Sequence, residues 1–317
     1  MTPGERRARV LLWVVPALWS SNYLIARASE GVIAPHLLAL GRWVLAIALL
    51  LPFTWRVLAS PAGREAVRHE WRQLLVLGGL GMWICGALVY LGGHTTSSTN
   101  IALLYAATPV AIVYAGSRLL HEPMSRAQWG GVVLALAGVL FVIAGGDPRV
   151  LLQVRFTTGD GWILVAAVGW AAYSVLLKHW PSALPPLARL VAIAAGGVLV
   201  LVPFTLLEAW AMPSPPLGAQ AVMLVVLAAL LPGVISYGAY SYLQRELGAS
   251  RTALMMYLGP VYAAFGAWAV LGEPPRWYHG VGAALILPSI WLATRGRAAV
   301  AQPKSPGALS GPSSSSA

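Results

Sequence analysis

Long apolar runs separated by short polar breaks dominate the chain. Each run has roughly 20 residues, enough for one helix to cross the ~30 Å hydrocarbon core of a bilayer. Ten such runs lie near 10–27, 36–56, 72–93, 99–119, 127–145, 160–178, 187–207, 220–243, 250–271 and 277–294. The pattern predicts an all-α integral membrane protein with ten transmembrane helices.

The composition agrees with a chain whose main solvent is lipid. Of the 317 residues, 58% are hydrophobic and 10% are charged, whereas a soluble domain has about 25% charged residues. The net charge of +11 comes from basic residues dispersed among the polar breaks, so we expect no nucleic-acid groove. The expected partners are the lipid bilayer and a small-molecule substrate, with the chain as a monomer or weak dimer.

The basic residues also predict an orientation. With the N-terminus in the cytoplasm, 16 of the 21 Lys and Arg residues fall in cytoplasmic segments, as the positive-inside rule requires. We therefore expect residues 1–9 and the C-terminus to be cytoplasmic. The tail at 301–317 is rich in Pro, Gly and Ser, which is typical of disorder.

An internal repeat divides the chain. An offset of 151 residues superposes several landmarks: Trp19 on Trp170, Pro35 on Pro186, Pro109 on Pro260, Glu122 on Glu273, and Gly131 on Gly282. The repeats are 10–145 and 160–294, and five spans in each would insert the second upside down. Inverted repeats are characteristic of secondary transporters. The first run imitates a signal peptide, but the repeat requires it, so we expect it to be retained.

Short motifs in both halves resemble one known family. The first half contains Pro16-Ala-Leu-Trp-Ser-Ser-Asn-Tyr23, Arg42-Trp43, Thr108-Pro-Val110 and His121-Glu-Pro123, and the second contains Trp170-Ala-Ala-Tyr173, Leu258-Gly-Pro-Val261 and Gly272-Glu-Pro274. Over about 10–294 the chain resembles the EamA-type members of the drug/metabolite transporter superfamily. The resemblance implies an inverted five-plus-five exporter of the inner membrane. The many aromatic residues most resemble the aromatic amino-acid exporter branch.

Polar and aromatic side chains within the apolar runs are the candidate substrate-binding residues, because lipid disfavours their polar groups. They are Trp19, Asn22, Tyr23, Trp83, Tyr90, His94, Trp170, Tyr173, Ser174, Tyr237, Tyr240 and Ser241, on spans 1, 3, 6 and 8. Helical spacing aligns Trp83, Tyr90 and His94, and it places Gln244 beside Tyr240. Hydrogen bonds between helices, packing and an interfacial aromatic belt are the alternative roles of such residues.

Three further features bear on mechanism. Arg42 lies in the second run, ~10 Å below the outer surface; it would contact a substrate carboxylate, or it would snorkel outward or tie helix ends together. Pro109 and Pro260 lie mid-span at equivalent positions and are expected to act as hinges or fixed bends. Glu122 and Glu273 are expected to cap the helix that follows each of them or to accept hydrogen bonds from loop amides.

The neutral, aromatic character of these residues favours a neutral or zwitterionic solute with an apolar body. We predict export of small metabolites, most simply aromatic or bulky apolar amino acids, by alternating access. Multidrug efflux, a membrane-embedded enzyme and a structural or receptor role are the alternatives. We predict no catalytic residue, metal or cofactor, since Cys85 is the single cysteine and the six histidines are scattered. No carboxylate lies at midspan, which favours downhill transport over proton coupling.

Overall fold

The computed structural model describes residues 3–93, 95–96, 98–122, 124–211, 215–271 and 274–294, and all regular structure in these ranges is helical. The predicted tail at 301–317, together with His94 and Glu273, lies outside the described residues. Up to residue 152 the elements are α1 (Pro3–Ala28), α2 (Pro35–Leu58), α3 (Pro61–Gly78), a π-helical segment π1 (Gly79–Ile84), α4 (Cys85–Gly93), α5 (Ser98–Ala106), α6 (Thr108–Leu119), α7 (Arg126–Ile143) and the short α8 (Arg149–Leu152).

The remaining elements follow a similar order. They are α9 (Thr158–His179), α10 (Pro186–Ala211), α11 (Ala219–Ala228), a second π-helical segment π2 (Ala229–Ile235), α12 (Ser236–Leu247), α13 (Ala249–Ala253), a 3₁₀ segment (Leu254–Leu258), α14 (Gly259–Leu271) and α15 (Trp277–Thr294). Segments π1 and π2 lie at nearly the 151-residue offset from each other. The α-helical pattern of the sequence did not predict either of them.

Eight helical stretches in the described residues are long and apolar enough to cross a membrane. They are Arg6–Ala26, Pro35–Leu58, Pro61–Gly93, Asn100–Leu119, Arg126–Ile143, Thr158–His179, Pro186–Ala211 and Ala219–Leu247. These correspond to the first eight predicted runs. The last two runs, 250–271 and 277–294, are helical but are not among the eight, so the count of ten stays a prediction.

Helix ends differ most from the sequence boundaries where a helix continues into polar residues. The third run was expected to begin at 72, but α3 begins at Pro61 and is capped by Ser60, whose Oγ accepts a hydrogen bond from the Gly63 amide. The turns between Pro61 and residue 72 carry Arg64, Glu65 and Arg68. Hydropathy marks the part of a helix that needs lipid, whereas the backbone remains helical for as long as its caps and packing allow.

The two prolines predicted as hinges lie directly after interruptions in their helices. α5 ends at Ala106, and Pro109 is the second residue of α6. Pro260 is likewise the second residue of α14, which follows the 3₁₀ segment. Proline is favoured in the first turn of a helix because its missing N–H group has no intrahelical partner there. A hinge role for these positions stays a prediction.

Contacts between distant parts of the chain define two ends of the helix bundle. At the first, called the N-terminal end, Tyr242 donates to the carbonyl of Gly4 (3.2 Å) and Lys178 to that of Gln244 (3.2 Å). At the second, called the opposite end, Tyr90 donates to Asn22 and Asn100 to Asp160. The candidate residues can therefore be ordered along one axis.

The helices pack around a central core and a second, smaller cluster. α1, α2, α9, α10 and α12 supply most of the central core, and α7, the 3₁₀ segment and α15 supply most of the second cluster. α3 and α10 meet at Gly78 and Gly197, where a methyl group built on Gly78 would lie 2.2 Å from the Gly197 nitrogen. Small residues permit this backbone approach, which is how helices pack closely in membranes.

Candidate substrate pathway

Six aromatic side chains from four helices pack together in the central core. The members of this aromatic cluster are Trp19 (α1), Trp43 (α2), Trp170 and Tyr173 (α9), and Tyr237 and Tyr240 (α12). Trp170 is central, with its ring centroid 5.1 Å from that of Trp19, 5.2 Å from that of Tyr240 and 5.7 Å from that of Tyr237. Several pairs are edge-to-face, an arrangement that the charge distribution of aromatic rings favours.

Helical spacing explains most of this cluster. Trp170 and Tyr173 lie three residues apart on α9, and Tyr237 and Tyr240 lie three apart on α12, so each pair shares a face. The structure thus brings together five of the predicted candidates from spans 1, 6 and 8. Trp43 was named only as part of a motif. Its position next to Arg42 was the one available signal for it.

A chain of hydrogen bonds extends the aromatic cluster toward the N-terminal end. The Tyr240 hydroxyl donates to Ser174 Oγ (2.7 Å), and Gln244 Nε2 donates to the Tyr240 hydroxyl and the Ser174 carbonyl (3.0 Å each). Gln244 Oε1 is buried and has no hydrogen-bond partner among the described residues. The chain therefore ends on an acceptor that a solute or water could use.

A cavity of about 330 Å³ lies at the N-terminal end, and Gln244 is one of its lining residues. Its polar lining includes Lys178, Arg189, Ser241, Gln244 and Arg245. The Arg189 guanidinium also donates to the carbonyls of Leu177 and Trp180, at the C-terminal end of α9, where carbonyls lack helical partners. The volume is at the lower end of the range for small-molecule sites, and the lining is basic.

Arg42 lies near the opposite end and is buried, with 4% of its surface exposed. Its Nη2 donates to the Pro232 carbonyl (2.8 Å), and its guanidinium carbon lies 4.8 Å from the Trp43 ring centroid and 5.7 Å from that of Tyr237. The outward snorkelling considered for this residue is therefore wrong. The alternative, that Arg42 ties helices together, agrees with its hydrogen bond to Pro232.

Asn22 and Tyr90 form a second polar group beside Arg42. Asn22 Oδ1 accepts a hydrogen bond from the Tyr90 hydroxyl at 2.8 Å and a longer one from Arg42 Nη1 at 3.4 Å. This is the interhelical hydrogen bond considered for Asn22, and it joins α1, α2 and α4. Tyr23 follows in α1, but its side chain is outside the described part of the structure.

Trp83 belongs neither to the aromatic cluster nor to the polar group of Asn22 and Tyr90. Its ring stacks on Phe204 with the centroids 4.0 Å apart, and its Nε1 donates to His36 Nε2 (3.4 Å). Trp83 belongs to π1 and Tyr90 to α4, and the two side chains contact different partners. The stripe expected through Trp83, Ala87, Tyr90 and His94 stays a prediction.

Segment π1 offers a backbone acceptor to the second half of the chain. At its end the Cys85 amide donates to Leu80, five residues back, and so bypasses Gly81, its usual α-helical partner. The Tyr237 hydroxyl of α12 donates to the Gly81 carbonyl at 2.9 Å. The deviation from α-helical geometry therefore creates a contact between the halves.

Segment π2 makes the corresponding contact in the other direction. The Ser236 amide donates to Leu231, five residues back, and bypasses Pro232, whose carbonyl accepts from Arg42 of α2. Gly81 and Pro232 are equivalent at the 151-residue offset. Each half thus presents a bypassed carbonyl to a side chain of the other, and π-helical turns occur frequently at functional sites.

A buried pair not predicted from the sequence joins α2 and α10. His36 Nδ1 lies 2.9 Å from Glu208 Oε1, and the His36 amide donates to Glu208 Oε2 at 2.9 Å. Both residues are buried. Their positions at the ends of two apolar runs were visible in the sequence, but nothing there indicated that they meet.

Glu122 accepts hydrogen bonds from the amides of Ala249 (3.1 Å) and Ser250 (2.9 Å), in the first turn of α13. The carboxylate thus bonds the first turn of a helix of the other half and not of the helix that follows it, α7, whose cap is Ser125. Gly248 precedes α13 with φ of +86°, a backbone conformation that glycine adopts without steric cost.

Several curated proteins are similar to this chain over most of its length. An uncharacterized transporter of Archaeoglobus fulgidus is 25% identical and covers 91% of this chain and 97% of its own length. The uncharacterized inner membrane transporter YedA of Escherichia coli is 23% identical, covering 90% of each chain. An S-adenosylmethionine/S-adenosylhomocysteine transporter of Chlamydia trachomatis is 23% identical, covering 86% of this chain and 85% of its own. The names of these relatives indicate a transporter rather than an enzyme. None of the three is named as an aromatic amino-acid exporter.

One solved structure, described only as a crystal structure of a protein, has the same fold. It matches with a TM-score of 0.70 at 19% identity and covers 91% of this chain and 96% of that one. The family model of the EamA-like transporters matches the sequence twice, over residues 7–144 and 157–295. Together these matches include nearly all of the described residues. The chain belongs to the EamA-like transporter family and is a multi-pass membrane transporter.

Proposed function

We propose that this transporter exports small neutral or zwitterionic metabolites, most simply aromatic or bulky apolar amino acids. The observation that carries the proposal is the aromatic cluster, which is continuous with the basic cavity through Ser174, Tyr240 and Gln244. Trp170 Nε1 and the Tyr173 hydroxyl are buried without a partner among the described residues. An unsatisfied buried polar group costs about 1–3 kcal/mol, and a solute with hydrogen-bonding groups would remove that cost.

The proposed mechanism is alternating access between two inverted five-helix halves, around Pro109 and Pro260 as hinges. It is supported by the two matches of the family model, the equivalent segments π1 and π2, and the equivalent helix interruptions. If both termini are cytoplasmic, the cavity opens to the cytoplasm and solute enters there. The aromatic cluster closes the path beyond it.

The chlamydial relative indicates a second candidate substrate. S-adenosylmethionine combines an amino-acid head group with an aromatic base, so it shares with aromatic amino acids a zwitterionic end and a flat ring. An aromatic cluster beside a buried arginine suits the ring and the carboxylate of both, whereas the basic cavity disfavours the sulfonium cation of S-adenosylmethionine. A pathway for lipophilic drugs would need neither the basic cavity nor the buried arginine.

Counterflow in proteoliposomes tests this proposal. Vesicles loaded with one unlabelled solute from a panel of amino acids and S-adenosylmethionine would take up the same solute in labelled form. We expect exchange of bulky apolar amino acids or of S-adenosylmethionine without a pH gradient. Transport of a lipophilic cationic dye with none of these solutes would favour multidrug efflux instead. A fixed proton stoichiometry would contradict downhill transport.

The side on which the cavity opens is predicted to be the cytoplasmic side. Cys85 is the single cysteine, so Cys85→Ala gives a background for new cysteines. Ser241→Cys, in the cavity lining, should react with a membrane-impermeant maleimide from the cytoplasmic side, and substrate should slow the reaction. The control is Trp210→Cys near the opposite end, where the tryptophan is 83% exposed. It should react from the other side, with no effect of substrate; labelling of both from one side would contradict the orientation.

A further inference from the structure

Arg42 is a buried cation without an anionic partner among the described residues. Among those residues Glu208 is hydrogen-bonded to His36, and Arg245 forms an ion pair with Glu246. Removing an unpaired charge from water is costly, so buried charges are normally paired. Arg42 is an exception to that rule, in a protein whose proposed role is to bind a solute.

The buried carboxylates of the described residues are bonded elsewhere. Glu70 accepts from Ser182 and the Ala183 amide, and Glu208 is paired with His36. Asp160 accepts from Asn100 and from its own helix cap at Thr157. The hydrogen bonds of each carboxylate therefore account for its burial. None of the three is paired with Arg42.

The guanidinium also has unused donor capacity. It carries five N–H groups in a fork that fits a carboxylate, and two hydrogen bonds are present, to the Pro232 carbonyl and to Asn22. Its Nε is buried without a hydrogen-bond partner. The Asn22 oxygen is shared with Tyr90 at a shorter distance, so Pro232 supplies the one short bond, and that acceptor is neutral.

The position of Arg42 links it to the proposed site. The Tyr237 ring contacts both: its centroid lies 5.7 Å from the guanidinium carbon of Arg42 and 5.7 Å from the ring centroid of Trp170. The Tyr237 hydroxyl is bonded to π1, and Arg42 is bonded to π2. A solute with its apolar body in the aromatic cluster would therefore have a charged end within reach of Arg42.

We propose that Arg42 binds the carboxylate of the transported solute, and that the Pro232 carbonyl holds the guanidinium while the site is empty. The inference rests on the proposed function and narrows it: the solute must be a carboxylic acid, such as an α-amino acid, joined to an apolar or aromatic body. A carboxylate replaces a neutral acceptor with a charged one, and charge-assisted bonds are the stronger. Binding would loosen the tie between α2 and π2.

Matched solutes that differ only in the carboxylate test this role. Phenylalanine is compared with phenethylamine, and S-adenosylmethionine with its decarboxylated form, by titrating the thermal stabilisation of purified protein. Wild type should bind each acid about 10- to 100-fold more tightly than its amine, the range for a charged hydrogen bond. In Arg42→Gln the preference should fall to near one, through weaker binding of the acids alone.

Two further variants separate recognition from folding. Arg118 also lies over an aromatic ring, 5.6 Å from the Tyr114 centroid, but it is exposed. Arg118→Gln therefore removes an arginine outside the proposed site and should leave the preference unchanged. If Arg42→Gln does not fold, Arg42→Lys decides, because lysine keeps the charge but not the fork. It should retain a reduced preference for the acids.

The outcomes distinguish this inference from the proposed function. Equal loss of acid and amine binding in a folded Arg42 variant would make the arginine a structural tie and overturn the inference. So would an unchanged preference for the acids, and in both cases carboxylate transport itself would stand. Wild-type binding of the amines as tightly as the acids would also overturn it. If wild type binds none of the acids and moves only a lipophilic dye, the proposed function fails as well.

Discussion

Trp170→Ala is expected to slow solute exchange about tenfold or more while the protein stays folded in the membrane. Trp170 contacts four other rings of the aromatic cluster, and its indole N–H is buried without a hydrogen-bond partner among the described residues. Truncating a central tryptophan of a binding site commonly costs at least 2 kcal/mol, which corresponds to more than a tenfold loss of affinity. Counterflow of the best substrate measures the effect.

Trp162→Ala is the matched control for this experiment. Trp162 lies on the same helix, is 49% exposed and should face lipid. Its removal should leave exchange within about twofold of wild type, since surface substitutions have small effects. Trp170→Phe keeps a ring and should retain part of the activity. Equal activity of Trp170→Ala and Trp162→Ala would show that the aromatic cluster is packing rather than a site.

Glu208→Ala is expected to destabilise the protein by about 3 kcal/mol or more. The change leaves the His36 ring Nδ1–H, and the His36 amide in the first turn of α2, without the carboxylate that accepts from both. Each buried donor left unsatisfied costs about 1–3 kcal/mol. Chemical unfolding of the purified protein in mixed micelles measures the loss of free energy.

An exposed ion pair in the same protein provides the comparison. In Arg245–Glu246 the Arg245 side chain is 56% exposed and that of Glu246 is 23% exposed. Glu246→Ala should cost no more than about 1 kcal/mol, because water and salt screen an exposed pair. If Glu208→Ala and Glu246→Ala lower the free energy of unfolding by the same amount, burial does not govern the strength of the His36–Glu208 pair.

The sequence predicted the first eight helical spans and much of the aromatic cluster. A bilayer requires roughly 20 consecutive apolar residues for each crossing, and that requirement is readable without any tertiary contact. The spacing of Trp170 with Tyr173, and of Tyr237 with Tyr240, placed each pair on one helix face. The 151-residue offset then related Trp19 to Trp170 before either position was known in space.

The sequence failed where local geometry departs from the α-helix. Segment π1 was not predicted, and neither were the contacts of Trp83, which lies in π1, with His36 and Phe204. Gly79 and Gly81 were visible signals of a weakened helix. They did not specify a π-helical turn, because that turn is supported by a hydrogen bond from Tyr237, 156 residues away.

The pattern of apolar and polar residues, which the lipid bilayer requires, therefore determined the apolar runs, the repeat and the residues that share a helix face. Tertiary structure alone decided which polar groups meet. Arg42 and Pro232 are 190 residues apart in the chain, and His36 and Glu208 are 172 apart. The physical reason is that a buried polar group must find its partner wherever packing provides one, and sequence spacing carries no record of that choice.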